Sequence, residues 1–473
     1  MRRPSAVSSW RSFLMNAASR ISMALSSLGG LSPLRSVQST FGIARRFRSG
    51  QGCAPHRIGR RRRGGSGTTS ATAIVQDVEW ATDARTDPNP LRESIRPDFS
   101  VGDSPLRLVD LFAGCGGITL GIAQAALAAG RGLDIALAVD FEEQATTTYQ
   151  RNFPSANRVE TAPVEDFLDG AIGSKEPTLT EHRTAREVGR VDILVGGPPC
   201  QGHSNLNNHT RRVDEKNALY LRMVRAAEVL NPEVVLIENV PAVLRDRHDG
   251  RGVVERAREA LTALHYQVAD QVVSLEKLGV AQTRRRHILL ATREGSVSPA
   301  TIFENLGADA VENDLAWAIG DLVDVSPTSM MDRPPQAKAP NLERMQWLLD
   351  NSAYDLPNRL RPECHQGDHT YKSMYGRLRW DEPAQTITSG FGSIGQGRYM
   401  HPDLPRALTA HEAARIQGFP DYFDFSACTT RSALATMIGN AVPPQLGTAV
   451  VSSLLTAGAF GSMESVQPTS ALA

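Results

Sequence analysis

From residue 106 onward the chain alternates short apolar runs with stretches of helical spacing; before that point it shows neither. Residues 106–112 (LRLVDLF) form the first run, which breaks at Gly114-Cys115-Gly116-Gly117 and passes into a helical pattern reaching residue 129. Further apolar runs lie at 135–139, 191–195 and 234–237, with helical stretches at 217–230 and 253–264 between or after them, and 286–292 adds a late strand. Alternation of this kind predicts an α/β fold built on a doubly wound, mostly parallel sheet. Periodicity then weakens over 294–371, where Pro, Asn, Asp and Met are frequent, and returns at 411–417 and again after 435. The expected organisation is therefore a first domain over 101–295 and a second, smaller and more irregular one over 296–405. A return segment over 406–460 completes the first domain, and 461–473 is a flexible tail. Residues 1–100, rich in Ser, Arg, Gly and Ala, are expected to be a disordered basic leader.

Charge changes this picture in one respect. The chain holds 51 basic and 51 acidic residues, but 13 of the arginines precede Asp77, where no acidic residue occurs, so the remainder is net acidic by 13 charges. A body of that charge grips a polyanion only through a local basic cleft. An Arg- and Ser-rich, acid-poor leader also resembles an organelle transit peptide; a polyanion-attracting arm, or upstream sequence ahead of the real start codon, are the readings preferred here. At 473 residues and 41% hydrophobic, the chain has material for a large core and two domains. No stretch approaches the roughly 20 apolar residues that span a bilayer, which leads to the expectation of a soluble, cytoplasmic protein. The five cysteines (Cys53, Cys115, Cys200, Cys364, Cys428) form no C-x-x-C pair, which suits a reducing compartment and neither a disulfide scaffold nor a structural zinc site. Cys364 and His365 lie near His369 without a second cysteine pair, so no metal is expected.

Four segments carry candidate chemistry. The Gly-rich turn of DLFAGCGG lies between a strand and a helix, where backbone N–H groups favour a nucleotide-like ligand. Asp140 ends the next strand, where a carboxylate can accept hydrogen bonds from ribose hydroxyls. Phe112 and Phe141 flank the same strand ends, placed either to sandwich an adenine or to fill the core. In VDILVGGPPCQGHS (191–204) a strand ends at Gly196, and Pro198-Pro199 stiffens the loop that presents Cys200 at the carboxyl edge of the sheet. Cysteine is among the most buried residue types, but a Gly-Gly-Pro-Pro loop end is a poor place to hide one. Glu238 ends an apolar run and is costly to bury without a partner, so it is expected to face the same cleft. In Gln282-Thr283-Arg284-Arg285-Arg286, extended backbone would aim Gln282, Arg284 and Arg286 the same way; solvated charge is the alternative.

Together these segments closely resemble the cytosine-C5 DNA methyltransferase family, in its bacterial restriction–modification form. DLFAGCGG is similar to its cofactor motif, GGPPCQGHS to its nucleophile motif, ENV to its acid motif and QTRRR to its Q-x-R-x-R motif. RALTAHEAARIQGFP (406–420) and IGNAVPPQLG (438–447) resemble the two closing motifs, and all six stand in the family's order. The resemblance implies a Rossmann-like S-adenosylmethionine-dependent methyltransferase fold. It also implies a second, smaller, irregular target-recognition domain between QTRRR and RALT. Cofactor contacts would come from Asp110, Phe112, Ala113, Gly114, Cys115, Gly116, Gly117, Asp140, Phe141, Pro199, Asn440 and Val442, with no metal. Cys200 would add to C6 of the target cytosine, Glu238 would support N3 and the exocyclic amine, Arg284 would contact the base at O2, and Arg286 would order the catalytic loop and Glu238. The base would have to be flipped from the duplex, at a cost of a few kcal/mol. The substrate partner implied is double-stranded DNA, a cognate restriction endonuclease encoded nearby is the protein partner such an enzyme raises, and a monomer is expected.

Some positions depart from the family pattern. His203 stands where an aromatic or small residue is more usual, and the best register puts Thr161 where an aspartate usually meets the adenine amine, Asp166 lying too far along. Cys115, beside the cofactor, is no second nucleophile. A tRNA-methylating branch shares the layout, but its Cys-Phe-Thr signature is absent; a catalytically silent relative is disfavoured by the presence of Cys200, Glu238, Arg284 and Arg286 together. Amino-methyltransferases would carry an aromatic residue after the paired prolines, where this chain has Cys200. Arg377, Arg379, Lys372 and Gln396 are candidates for reading base edges, but the target sequence is not legible.

Overall fold

A computed structural model of the chain describes residues 89–199, 217–366 and 373–460. Cys200, His203, His369, Lys372, the tail 461–473 and the leader up to residue 88 lie outside the described residues. The apolar runs become the parallel strands β1 (Leu106–Leu111), β2 (Leu133–Asp140), β4 (Ile193–Gly196) and β5 (Val234–Asn239), and the short β3 (Val159–Thr161), which no apolar run announces, joins them at one edge. Two further long strands, β6 (Tyr266–Ser274) and β8 (Arg285–Arg293), with the short β7 (Gln282–Thr283) between them in the chain, complete a seven-stranded sheet of order β3-β2-β1-β4-β5-β8-β6, in which β8 runs antiparallel to both its neighbours. Parallel strands covered on both faces read as near-continuous apolar runs, which is why β1, β2, β4 and β5 show so plainly in the sequence. β6 does not: it is an edge strand, only partly buried along most of its length, and carries Gln267, Asp270 and Gln271.

Helices cover both faces. On one lie α1 (Gly117–Ala128) and α2 (Glu143–Asn152), with Ile118, Ile122, Tyr149 and Leu108 in a common core. On the other lie α3 (Leu179–Val188), α4 (Asn217–Leu230) and α5 (Val253–Ala263), against Val109, Val139, Ile237 and Leu289. No helix among the described residues is long and apolar enough to cross a membrane. After α6 (Pro299–Asn305), α7 (Leu315–Ile319) and α8 (Ala339–Asp350), the chain returns through α9 (Ala410–Ile416), α10 (Arg431–Asn440) and α11 (Pro444–Thr456). Thr409 and Glu412 start α9 with a reciprocal capping box. Helix α11 packs on α1, and Thr448 Oγ1 donates to Gly121 O at 3.1 Å.

Two findings bear on the expected boundaries. The folded body begins before residue 101: Leu91 and Phe99 are buried, Leu91 O accepts from Asp421 N and Phe99 O from Leu133 N. Residues 89–100 therefore belong to the body, because two apolar side chains suffice to dock a short segment. Within 296–405, Met345, Leu348, Leu356, Tyr375, Ile394 and Met400 form a small core of their own. Leu315, Ile319, Leu378 and Ile387 instead join the large core of α1 and α11.

Candidate active site

Strand order reverses between β1 and β4, so the loops leaving β1, β2, β4 and β5 open onto one edge, where open α/β sheets bind ligands. Antiparallel β8 starts at that same edge and brings Arg286 with it. Four of the sequence-predicted segments thus converge there.

The turn after β1 is built on positive φ: Gly114 at 54° and Gly116 at 89°, and Phe112 also, at 57°. A phenylalanine held left-handed is strained. Asp140 braces the turn, its Oδ2 accepting from Gly114 N at 2.8 Å and its Oδ1 from Glu142 N at 3.0 Å. Asp110 lies deeper, 2% exposed, accepting from Thr119 Oγ1 at 2.6 Å, with Tyr149 OH donating to that hydroxyl at 3.0 Å. Burial, partly opposed by the Thr119 bond, pushes the Asp110 carboxyl up to about 7. Burial likewise pushes the Cys115 thiol up to about 12, which suits packing and not nucleophilic attack. Ala113 N donates to Val139 O. Gly117 admits the carbonyl of Val442, which would lie 2.1 Å from a Cβ there. Phe141 is 66% exposed and Asn440 is exposed too. Thr161 pairs with Asp140 in register, and its hydroxyl meets Thr146 Oγ1 at 2.6 Å.

On the other side of the reversal, Pro199 is the last described residue before Cys200. Asn239 Nδ2 donates to Pro198 O at 2.9 Å, tying the Gly-Gly-Pro-Pro loop to the end of β5. Glu238, 6% exposed, pairs with Arg286 Nε at 2.6 Å, and a Cβ on Gly197 would lie 3.3 Å from its Oε2. A buried carboxylate thus has its partner, and both sit beside the loop that leads to Cys200.

Arg284, expected at the base, is held by backbone carbonyls. It is 2% exposed, with Nη1 donating to Ile387 O at 2.8 Å and Nη2 reaching Ala441 O at 3.1 Å and Gly439 O at 3.4 Å. Those three bonds are all to backbone carbonyls, and the guanidinium paired with Glu238 is that of Arg286. Burial, and then the charge of Arg286, lowers the Arg284 pKa. Gln282 and Arg284 do face the same way, as extended backbone requires, and both hold the backbone of Ile387: its N–H donates to Gln282 Oε1 at 3.0 Å and its carbonyl accepts from Arg284. Asn239 and Gln417 are residues whose part the sequence reading did not assign. Gln417 was recoverable in principle, as a polar residue on the apolar stripe of Ala410, Ala413 and Ala414.

Among the base-reading candidates, Arg377 is engaged with Pro402 O and the ring of Tyr354, and Arg379 stacks 3.8 Å from that ring and pairs with Glu382. Gln396 is exposed, its side chain lying over Gly390.

Residues 106–456 match the family C-5 cytosine-specific DNA methylase. The chain is 40% identical to the Type II methyltransferase M1.BsuMI of Bacillus subtilis, over 81% of this chain and 89% of that protein. It is 30% identical to the Type II methyltransferase M.Eco47II of Escherichia coli, over 76% and 81%. A prophage-encoded E. coli protein of known structure, assigned as a DNA modification methyltransferase, shares the fold with a TM-score of 0.52 and 23% identity, over 74% of this chain and 99% of that one. The sheet, the cleft and these matches define one class: the chain belongs to the C-5 cytosine-specific DNA methylase family. It is a DNA (cytosine-5)-methyltransferase.

Proposed function

We propose that this protein methylates cytosine within one duplex sequence, using Cys200 as nucleophile, Glu238 as acid and Arg286 as the arginine at the base. The Arg286–Glu238 pair, 2.6 Å apart at the cleft edge and beside the Pro198-Pro199 loop, carries the reading. The residues at the β1 and β2 ends fit S-adenosylmethionine: an exposed Phe141 ring suits an adenine face, and open space lies over Gly114. Phe112, Ala113, Gly114, Asp140, Phe141, Pro199, Asn440 and Val442 would hold the cofactor, which supplies an electrophilic methyl group.

The chain's own side chains do the rest. The Cys200 thiolate adds to C6, and the displaced π pair makes C5 nucleophilic while Glu238 supports a proton at N3. Arg286 fixes Glu238 and donates towards O2 of the base, the role Arg284 is too buried to fill. After alkylation at C5, loss of the C5 proton returns the electron pair and expels Cys200. The region 296–405 would read the sequence, and a Type II-like setting would make the modified site resistant to a cognate endonuclease.

The test uses the full chain, methyl-labelled S-adenosylmethionine and unmethylated genomic DNA. Label should appear in 5-methylcytosine, and bisulfite sequencing should return one recurrent sequence. DNA carrying 5-fluorocytosine at that site should form a denaturant-stable adduct mapping to Cys200. An adduct at another cysteine would overturn the assignment, as would label found only in RNA.

A further inference from the structure

Three buried side chains join the two halves of the cleft. Gln417, wholly buried at the end of α9, donates through Nε2 to Ile438 O at 2.5 Å and Ala441 O at 3.4 Å. Its Oε1 accepts from Gln282 Nε2 at 2.6 Å, and Gln282 in turn holds Ile387 N and Ile416 O. Arg284 closes the circuit between Ile387 O and the carbonyls of Gly439 and Ala441. The backbone of 388–389 also lies against Gly439, where a Cβ would come within 2.2 Å of Ser389 N.

What these side chains join is informative. Residues 439–442 include Asn440 and Val442 and press on the glycine turn through Gly117. Segment 386–397 runs from the clamped Ile387 to the exposed amide of Gln396, and Tyr399 OH anchors it through Thr386 O and Thr388 Oγ1, both at 2.9 Å. Arg284 lies two residues from Arg286, the partner of Glu238. A buried, hydrogen-bonded polar cluster has few alternative arrangements, because each unpaired member would be costly. The 439–442 turn and the start of the 386–397 segment thus share one hydrogen-bonded cluster.

We propose that Gln417 is a positioning residue that couples the cofactor side of the cleft to segment 386–397, which the proposed function places at the DNA. Occupancy of one side then strengthens binding at the other. This rests on the function proposed above.

The experiment measures affinity of the full chain for duplex DNA containing the mapped site, with and without S-adenosylhomocysteine. Wild type should bind DNA more tightly with S-adenosylhomocysteine present, by about fivefold or more. Gln417→Met, similar in length but without hydrogen-bonding atoms, should bind each ligand alone while the ratio falls below the wild-type value, the Arg284 bonds remaining. A merely structural role would lower the melting temperature and leave the ratio unchanged, and that result overturns the proposal. Hydrogen exchange on the wild type guards against a variant that fails to fold. S-adenosylhomocysteine should slow exchange in 386–397 as well as in the glycine turn, and protection confined to the turn overturns the coupling. Absence of S-adenosylhomocysteine or DNA binding in the wild type would instead count against the proposed function itself.

Discussion

Replacing Cys200 by serine keeps the side chain's shape but offers a hydroxyl of far higher pKa, so almost no nucleophilic anion exists at neutral pH. Methyl transfer by Cys200→Ser should fall by several orders of magnitude while DNA and cofactor still bind, and the 5-fluorocytosine adduct should vanish. Glu238→Gln keeps the thiolate and loses the charge that pairs with Arg286. Acid assistance is worth about 10²–10⁴-fold, so single-turnover kinetics should find a residual rate for this variant. Asp110 gives a prediction of another kind. Its folded-state pKa is raised to about 7, so the native protein binds more protons than the unfolded chain between the ordinary carboxylate range and neutrality. Stability from this group is fully present at low pH and is lost as pH rises towards 7, by a few kcal/mol. Asp110→Asn should flatten that slope in denaturation midpoints measured from pH 5 to 8; an unchanged slope would show that Asp110 is not its source.

Elements carry the boundary prediction. Leu91 is 2% exposed, and the carbonyls of Leu91 and Glu93 accept from Asp421 N and Tyr422 N. A chain beginning at Pro88 should melt like the full protein, methylate DNA and keep an unchanged cofactor affinity. One beginning at Pro97 deletes a buried leucine, a loss of about 2–5 kcal/mol by analogy with core truncations, and should melt several degrees lower. Equal melting temperatures for the two would place the start of the body later than Leu91. The same segment shows a limit of periodicity: PLR is one short turn, too brief to carry a repeat, and only its contact with residues 421–422 gives it a place.

For the molecule as a whole, the region 296–405 is expected to choose the target while the sheet domain supplies the chemistry. Exchange of residues 300–400 for the matching part of a relative should transfer that relative's methylation pattern, read by bisulfite sequencing. Since Leu315, Ile319, Leu378 and Ile387 belong to the large core, the chimera should fold only where the donor has apolar residues of similar size there. A folded, active chimera that retains the original pattern would remove sequence choice from this region.

Sequence alone made β1, β2, β4 and β5 legible, with the loops that end them and the residue types at those ends, because strands buried on both faces must be apolar and loops at their ends need not be. It placed Glu238 and Arg286 in separate motifs, 48 positions apart in number only. Tertiary structure decided their pairing, since β8 runs antiparallel to β5 and opens at the same edge. It also gave the two arginines different surroundings. Alternation along extended backbone says that Arg284 and Arg286 share a face, but what each meets depends on Ile387, Gly439 and Ala441, more than 100 residues away. Long-range hydrogen bonds to backbone carbonyls leave no mark in composition or period, because every residue type supplies the same carbonyl.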